Sequence, residues 1–426
     1  MSAFTPDAAR RLDGPHWLEV RRTAAAEAFA GAGLPSPDEE IWRYSRVADL
    51  DLDLYPLAPG RPAPVGGGVD RLLSIFPDRA ATVITVDGAI ARVDVAEPFA
   101  AAGLVAGPLR EHRNGEELLG LVVTKPTDVF SVMNDAFSAD PILVQVPAGV
   151  TVDAPIVVVH WFTGNGSAVF PRLVVDAGAD SESRVLDVYA SDHEAGAGNL
   201  VVPVTELSVG PAARLGYVNL QELALSSWQI ASTVARVDRD GDLESTCAGL
   251  GAEYARQRTD CHLDGRGATG NLRAVYFGEG RQTLDFRTFQ DHAAPDTTSD
   301  LLFKGALGGS SRSVYSGLIR VEKNARGTNA YQTNRNIKLS DDAWAESVPN
   351  LEILNNDVRC SHASAVGPVD EEQRFYLESR GVPRAEAERL IVTGFFEDIL
   401  SELPVPAAIG PLRRTVAAKF ARRSES

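Results

Sequence analysis

The sequence predicts a mainly β chain with helices at both ends, and three observations carry that prediction. Short apolar runs separated by turn pairs fill the stretch from about 128 to 364. A run of good helix formers with clear stop signals opens the chain. Helical patterning returns after about residue 366. The organisation that follows is an N-terminal helical part with a connecting loop and a short hairpin over 1–126. A β core then spans 127–365, and a C-terminal helical part spans 366–426.

Taken in order, residues 17–29 (WLEVRRTAAAEAF) predict a helix that stops at Gly31 and Gly33, ahead of Pro35 and Pro37. Residues 51–80 hold Pro56, Pro59, Pro62, Pro64 and the run Gly66, Gly67, Gly68, and read as a connecting loop. Segments 81–86 and 90–95 are β-rich, and Asp87-Gly88 between them is a hairpin signal. From 128 onward no helical period of useful length shows. Runs such as 142–146, 156–162, 185–189, 201–209, 275–277 and 318–321 are bounded by Gly210-Pro211, Asp240-Gly241, Asp264-Gly265 and Gly308-Gly309. That texture fits a sandwich, a barrel or a solenoid of strands. A sandwich of about 100 residues would have to occur twice, without visible internal duplication; a solenoid absorbs the length more naturally. After 366, Asp370 and Gln373 are spaced as a capping box. A helix over 371–380 ends at Gly381, a second runs over about 384–403, and a basic one of about ten residues follows Pro411, which three short helices could use to cap the open edge of the β core.

The net charge of −17 argues against a nucleic-acid partner, because phosphate neutralisation needs a basic face. The local exception is a basic tail of Arg413, Arg414, Lys419, Arg422 and Arg423, suited to an acidic partner surface or simply to solvent. Three cysteines, Cys247, Cys261 and Cys360, do not build a disulfide framework and fit a reducing compartment. The N-terminal MSAFTPDAARRLDGPHW has no apolar core of a secretory signal, and no run reaches the length of a membrane span. A cytoplasmic protein without a membrane partner is expected.

One constellation stands out. On an extended segment, residues two apart share a face, so Cys360 and His362 point together. A thiolate and an imidazole on one face suit iron or zinc, yet two ligands leave the shell incomplete. The remainder would come from elsewhere in the fold, from a partner chain or from sulfide. Against this stands the blander reading, a buried cysteine packing as a small hydrophobe. Cys261-His262 is adjacent, so its side chains diverge on a strand. Cys247 has no neighbouring ligand, and His16, His112, His160, His193 and His292 are scattered. Phosphate-loop, nucleophile-elbow and zinc-hydrolase motifs are absent from the sequence. The acidic pairs Asp341-Asp342 and Glu371-Glu372 read as turn and helix-start residues.

Several segments carry a resemblance. SGLIRVEKNARGT at 316–328, QTNRNIKLS at 332–340, PNLEI at 349–353 with DVRCSH at 357–362, and DEEQRFYLESRG at 370–381 resemble the SufB/SufD family of iron–sulfur cluster assembly proteins. EIWRYS at 40–45 is similar to the short aromatic motif that opens SufD-type chains, and the Cys-Ser-His form of 360–362 is similar to that side of the family rather than to SufB. The resemblance is strong over 305–403 and diffuse over 128–304. It implies a right-handed parallel β-helix core flanked by N-terminal and C-terminal α-helical domains. It also implies a scaffold rather than an enzyme, pairing with SufB through the β-helix and docking the SufC ATPase on the C-terminal helices. ATP turnover would then open an interfacial site for a transient iron–sulfur cluster or iron, with no cofactor held permanently and His362 contributing to that site. Phe375, Tyr376, Arg380 and Phe395 are the expected partner-facing residues. Two other readings remain: a carbohydrate-active β-helix enzyme, and a self-associating homodimeric scaffold.

Overall fold

Each short apolar run between turn residues is a strand, and successive strands alternate between two sheets. The computed structural model of the chain describes residues 3–61, 63–191 and 197–423. From Arg214–Glu222 onward the chain crosses to the second sheet at Trp228–Val237, returns at Asp242–Gly249, and repeats this to Arg359–Pro368. Register partners in one sheet run from Arg214 to Asp242, Thr269, Thr298, Asn329 and Arg359. The chain therefore climbs one coil per roughly 30 residues. The result is a β-solenoid of about eight turns. Every strand pairing from Ile156–Phe162 onward is parallel, which removes the sandwich, an antiparallel architecture.

The turns stack as the strands do. Gly267 (φ 74°) lies over Asp240, whose Oδ1 stands where a Cβ would collide with it. Gly327 (φ 75°) repeats this over Asp296 at 2.5 Å. Only glycine combines that left-handed backbone with that approach. Inside the coil, rows of aligned side chains build one continuous core that includes Val158, Val185, Leu215, Leu243, Leu272 and Leu301.

Each sheet's outer face is covered by a different end of the chain. N-terminal helices Pro6–Arg10 and His16–Ala30 pack with helix Val129–Phe137 against the eleven-stranded sheet, through Phe4, Phe29, Phe137 and Phe170. Helices Arg384–Leu400 and Ile409–Arg423 cover the ten-stranded sheet with Val392, Phe396, Ile399, Leu412 and Phe420. Buried lysines hold this second layer. Lys304 donates to the Phe395 carbonyl and to Asp398. Lys419 donates to the Leu250 carbonyl at 2.6 Å and to Glu279 at 2.9 Å.

Several expectations hold. The hairpin forms as Ala81–Val86 and Ala89–Val95, with Asp87 and Gly88 both at positive φ. The first long helix ends at Gly31. Others need correction. The 51–80 loop contains helix Gly67–Leu73, which starts inside the glycine run because Val69 and Leu73 are buried under the ten-stranded sheet. The β texture does not begin at 128: Asp128 caps helix Val129–Phe137, its carboxylate accepting from the Ser131 amide at 2.9 Å. Burial on one face outweighed the β-branched residues there. The hairpin does not stand apart with the N-terminal helices, since Ala81–Val86 pairs in parallel with Ile156–Phe162. At 370–373 only half a capping box forms: Asp370 accepts from the Glu372 and Gln373 amides, while the Gln373 side chain turns to the Asp370 carboxylate. The last helix has 15 residues rather than ten. Helices Arg384–Leu400 and Ile409–Arg423 lie on a sheet face, and among the described residues no strand pairs beyond the last coil. The basic tail is also partly spent within the chain: Lys419 is buried and Arg413 pairs with Glu397, while the side chains of Arg422 and Arg423 lie outside the described residues.

The EIWRYS segment is fastened to the eleven-stranded sheet. Trp42 is 1% exposed, with the Arg256 guanidinium 4.0 Å from its ring centroid. Arg256 donates to the Ile41 carbonyl at 2.7 Å and Arg287 to the Arg43 carbonyl at 2.6 Å, both arginines being held by buried Asp285. Trp42→Ala is expected to cost about 3–5 kcal/mol, read as a lower denaturant midpoint at unchanged slope; a shift within error would show that Trp42 does not anchor the arm.

Candidate functional site

The last coil of the solenoid is covered on one side only. Strand Trp344–Ile353 pairs with Arg312–Val321, and Arg359–Pro368 pairs with Asn329–Lys338; among the described residues neither has a second neighbour. Each offers ten residues of unpaired edge. An edge of that length is a template for another chain, and charges, bulges or covering loops normally blunt it.

Register fixes which side chains look into the mouth of this coil. Leu272, Leu301, Gln332 and His362 are successive partners. The first two belong to the interior core, so His362 crowns an inward-facing row. Cys360 is two residues earlier, beside buried Ala330, and points the same way. Its neighbours Ile319, Val321 and Ala325 make a small apolar cluster on which Leu351, Val358 and Cys360 are half-buried. That burial pushes the Cys360 thiol up, and a contact with the Ala330 backbone opposes it. The thiol therefore keeps its proton until a metal or a partner charge displaces it. His362 is exposed. Beneath it Gln332 is 1% exposed, with neither amide atom hydrogen-bonded. A buried amide left open in this way marks a place where another group completes the network.

Cys247, Cys261, His160, His262 and His292 are engaged within the coils, whereas His16 is exposed and His112 accepts from the Asn114 amide. Cys247 and Cys261 are pushed up to about 12 by burial. As expected, His262 diverges from Cys261 and faces Asp291 at 3.3 Å, which holds its pKa above the usual histidine value against the opposing effect of burial. His292 lies between Thr297 and Ser299, and burial lowers it to about 4, so the ring is neutral. His160 is buried beside Thr85, Asp187 and Tyr189. His193 lies outside the described residues. Among the described residues no group of three or more His, Cys, Asp or Glu is placed to hold a metal ion; Cys360 and His362 supply two donors. No described helix is long and apolar enough to cross a membrane.

Of the expected partner-facing residues, Phe375 is 72% and Tyr376 57% exposed on helix Glu371–Ser379, which buries no side chain of its own. The Arg380 guanidinium stands 5.1 Å from the Tyr376 ring centroid. Phe395 is placed differently: it is half-buried against Phe396, with Lys304 Nζ 4.8 Å from its ring. Leu390, on helix Arg384–Leu400, is exposed as well.

Residues 160–395 match the family model for the SUF system FeS cluster assembly, SufBD core domain. The chain belongs to the SufBD family. The SufBD match runs from the early coils through the open one and into helix Arg384–Leu400, so it contains Cys360 and His362. A SufBD family protein of Mycobacterium tuberculosis is 36% identical over 61% of this chain and 64% of its own length, so the matched part spans a little under two thirds of that relative. The Mycobacterium leprae counterpart is 35% identical over 66% of this chain and 72% of its own. The iron–sulfur cluster assembly protein SufD of Bacillus subtilis is 26% identical over 92% of this chain and 91% of its own. SufBD membership thus ties the chain to iron–sulfur cluster assembly, and its solenoid with helical flanks is the fold that the resemblance implied.

The three thiols should differ in reactivity: Cys261 is buried, and Cys247, half-buried as Cys360 is, has its thiol pushed up to about 12 by burial. In the native protein one equivalent is expected to react with a disulfide reagent within minutes, and the other two only in denaturant. Loss of the fast equivalent in Cys360→Ser identifies it; a fast equivalent that persists would mean that Cys247 or Cys261 is reachable.

Proposed function

We propose that this chain is a scaffold subunit of the SUF machinery that joins SufB through its open last coil and supplies half of a shared assembly site. The observation that carries the reading is the coincidence of the unpaired coil end with Cys360 and His362 in its mouth. Extending both sheets by another chain's strands would satisfy the free edge groups by β-addition. It would also bring outside ligands to the thiol and the imidazole. Iron here is cargo rather than a resident cofactor. The donor set fits it: a soft sulfur, a borderline nitrogen and the open amide of Gln332 beneath.

The SufC ATPase docks, in this reading, on the exposed aromatic surface of Phe375 and Tyr376 with Arg380. Aromatic and arginine side chains dominate interface hot spots. Nucleotide turnover acts on the shared site only if SufC contacts differ between its two states. The chain itself contributes no catalytic residue to that turnover. Its three free thiols suit a reducing cytoplasm. The open edges equally permit isologous pairing of two copies, which SufB would displace.

Mixed with SufB and SufC, the chain is expected to elute as one heteromeric species, with mass detection giving fewer self-pairs than the isolated chain. Failure of SufB to change the mass would sink the pairing. His362→Ala is expected to fold and assemble normally while cluster formation on the complex falls by about tenfold or more, as for loss of one metal ligand or its support. Normal cluster yield in that variant removes His362 from the site.

A further inference from the structure

The EIWRYS segment does more than hold the N-terminal arm. Trp42 is the buried anchor described above, yet two residues later Tyr44 is 44% exposed and has φ 65°. A bulky residue in the left-handed region is a backbone outlier, and such outliers persist where surrounding structure imposes them and cluster at binding sites. Here the imposing groups are Trp42 and the Arg287 bond to the Arg43 carbonyl. The ring they display lies 6.0 Å from the ring of Trp344, itself 36% exposed.

These two rings form one wall of a trough of about 510 Å³ on the outer side of the eleven-stranded sheet. Arg281 and Arg312 line it beside Thr283 and Ser310. Arg46, also at the trough, pairs with both Asp49, a lining residue, and Glu253 at 3.0 Å, which leaves one negative charge in that group. Arg281 and Arg312 have no carboxylate within ion-pair distance among the described residues; the Arg312 guanidinium rests 5.9 Å from the Trp344 ring centroid. Three arginines against Asp49 and Glu253 leave the trough with a small positive surplus, carried by the Arg281 and Arg312 forks beside the aromatic wall, on a chain of net charge −17.

The geometry points to a docking site for an extended acidic peptide segment of another protein, with an aromatic side chain packed against the exposed side of the Tyr44–Trp344 pair and carboxylates on Arg281 and Arg312. Planar guanidinium groups match carboxylates two bonds at a time, and the flanking rings supply the desolvated contact that fixes register. The trough borders the open coil end through Trp344, the first residue of edge strand Trp344–Ile353, but lies on the outer face of the sheet, away from the inward-facing Cys360 and His362 and from the helix that carries Phe375.

The test uses the full chain and a fluorescein-labelled peptide with one phenylalanine flanked on both sides by glutamate and aspartate. A lysine-flanked peptide and inorganic tripolyphosphate are the comparison ligands. The acidic peptide is expected to bind saturably, to weaken as salt rises, and to bind roughly tenfold more weakly to Arg281→Gln and to Arg312→Gln. Arg266→Gln, at an exposed arginine paired with Asp296, should bind as the native chain does. Tyr44→Gly separates binding from folding. Glycine accepts φ 65° without strain, so the melting temperature should not fall although binding does. No saturable binding, equal binding by the arginine variants, binding of tripolyphosphate without the peptide, or a Tyr44→Gly variant that melts lower and binds normally would each overturn the proposal.

Discussion

A parallel strand can satisfy its backbone only by lying between two neighbours, and the architecture of this chain follows from that requirement. Each coil supplies the missing partner of the coil before it, so stacking continues until something ends it. At the start, the antiparallel hairpin Ala81–Val86 and Ala89–Val95 closes one sheet. At the other end no such device exists among the described residues, and the ladder stops at two bare strands. The same ladder aligns side chains in rows, which is why His362 stands above Gln332 and both look inward. Edge and ligands are thus products of one geometry.

The helical layers solve a different problem. A two-sheet coil leaves apolar residues on both outer faces, and the chain covers one with its beginning and the other with its end. Charges inside those layers are matched rather than avoided. Arg172 lies between Glu206 and Asp135, which ties helix Val129–Phe137 to the strands. Buried pairs of this kind add little net stability over apolar packing, but removing one partner is costly. Their effect is to fix where each helix sits.

Much of this was legible in the sequence wherever the signal is local. Asp87-Gly88 specifies its turn through backbone preference, Gly31 stops its helix, and the spacing of Cys360 and His362 puts them on one face of an extended segment. What could not be read depends on contacts between distant residues. The choice between sandwich and solenoid lies in register, and the coils vary too much in length to show a strict repeat. Helix Gly67–Leu73 exists because the ten-stranded sheet buries Val69 and Leu73, against the preference of its glycines. Nothing around Gln332 announces that its amide is buried without a partner. The separate fates of Trp42 and Tyr44, one anchored and one displayed, are set by Arg256 and Arg287, more than two hundred residues away in the chain.

Stacked coils are cooperative only with their immediate neighbours. An interior coil is braced from both directions, whereas the final one is braced from one. Strand Arg359–Pro368 is almost wholly solvent-facing, while Thr283–His292, three coils deeper, is almost wholly enclosed. Local opening should therefore begin at the terminal coil and spread inward, as protection falls toward poorly contacted segments. The thiol and the imidazole ride on the softest rung of an otherwise stiff ladder, so whatever seats against that rung also stiffens it.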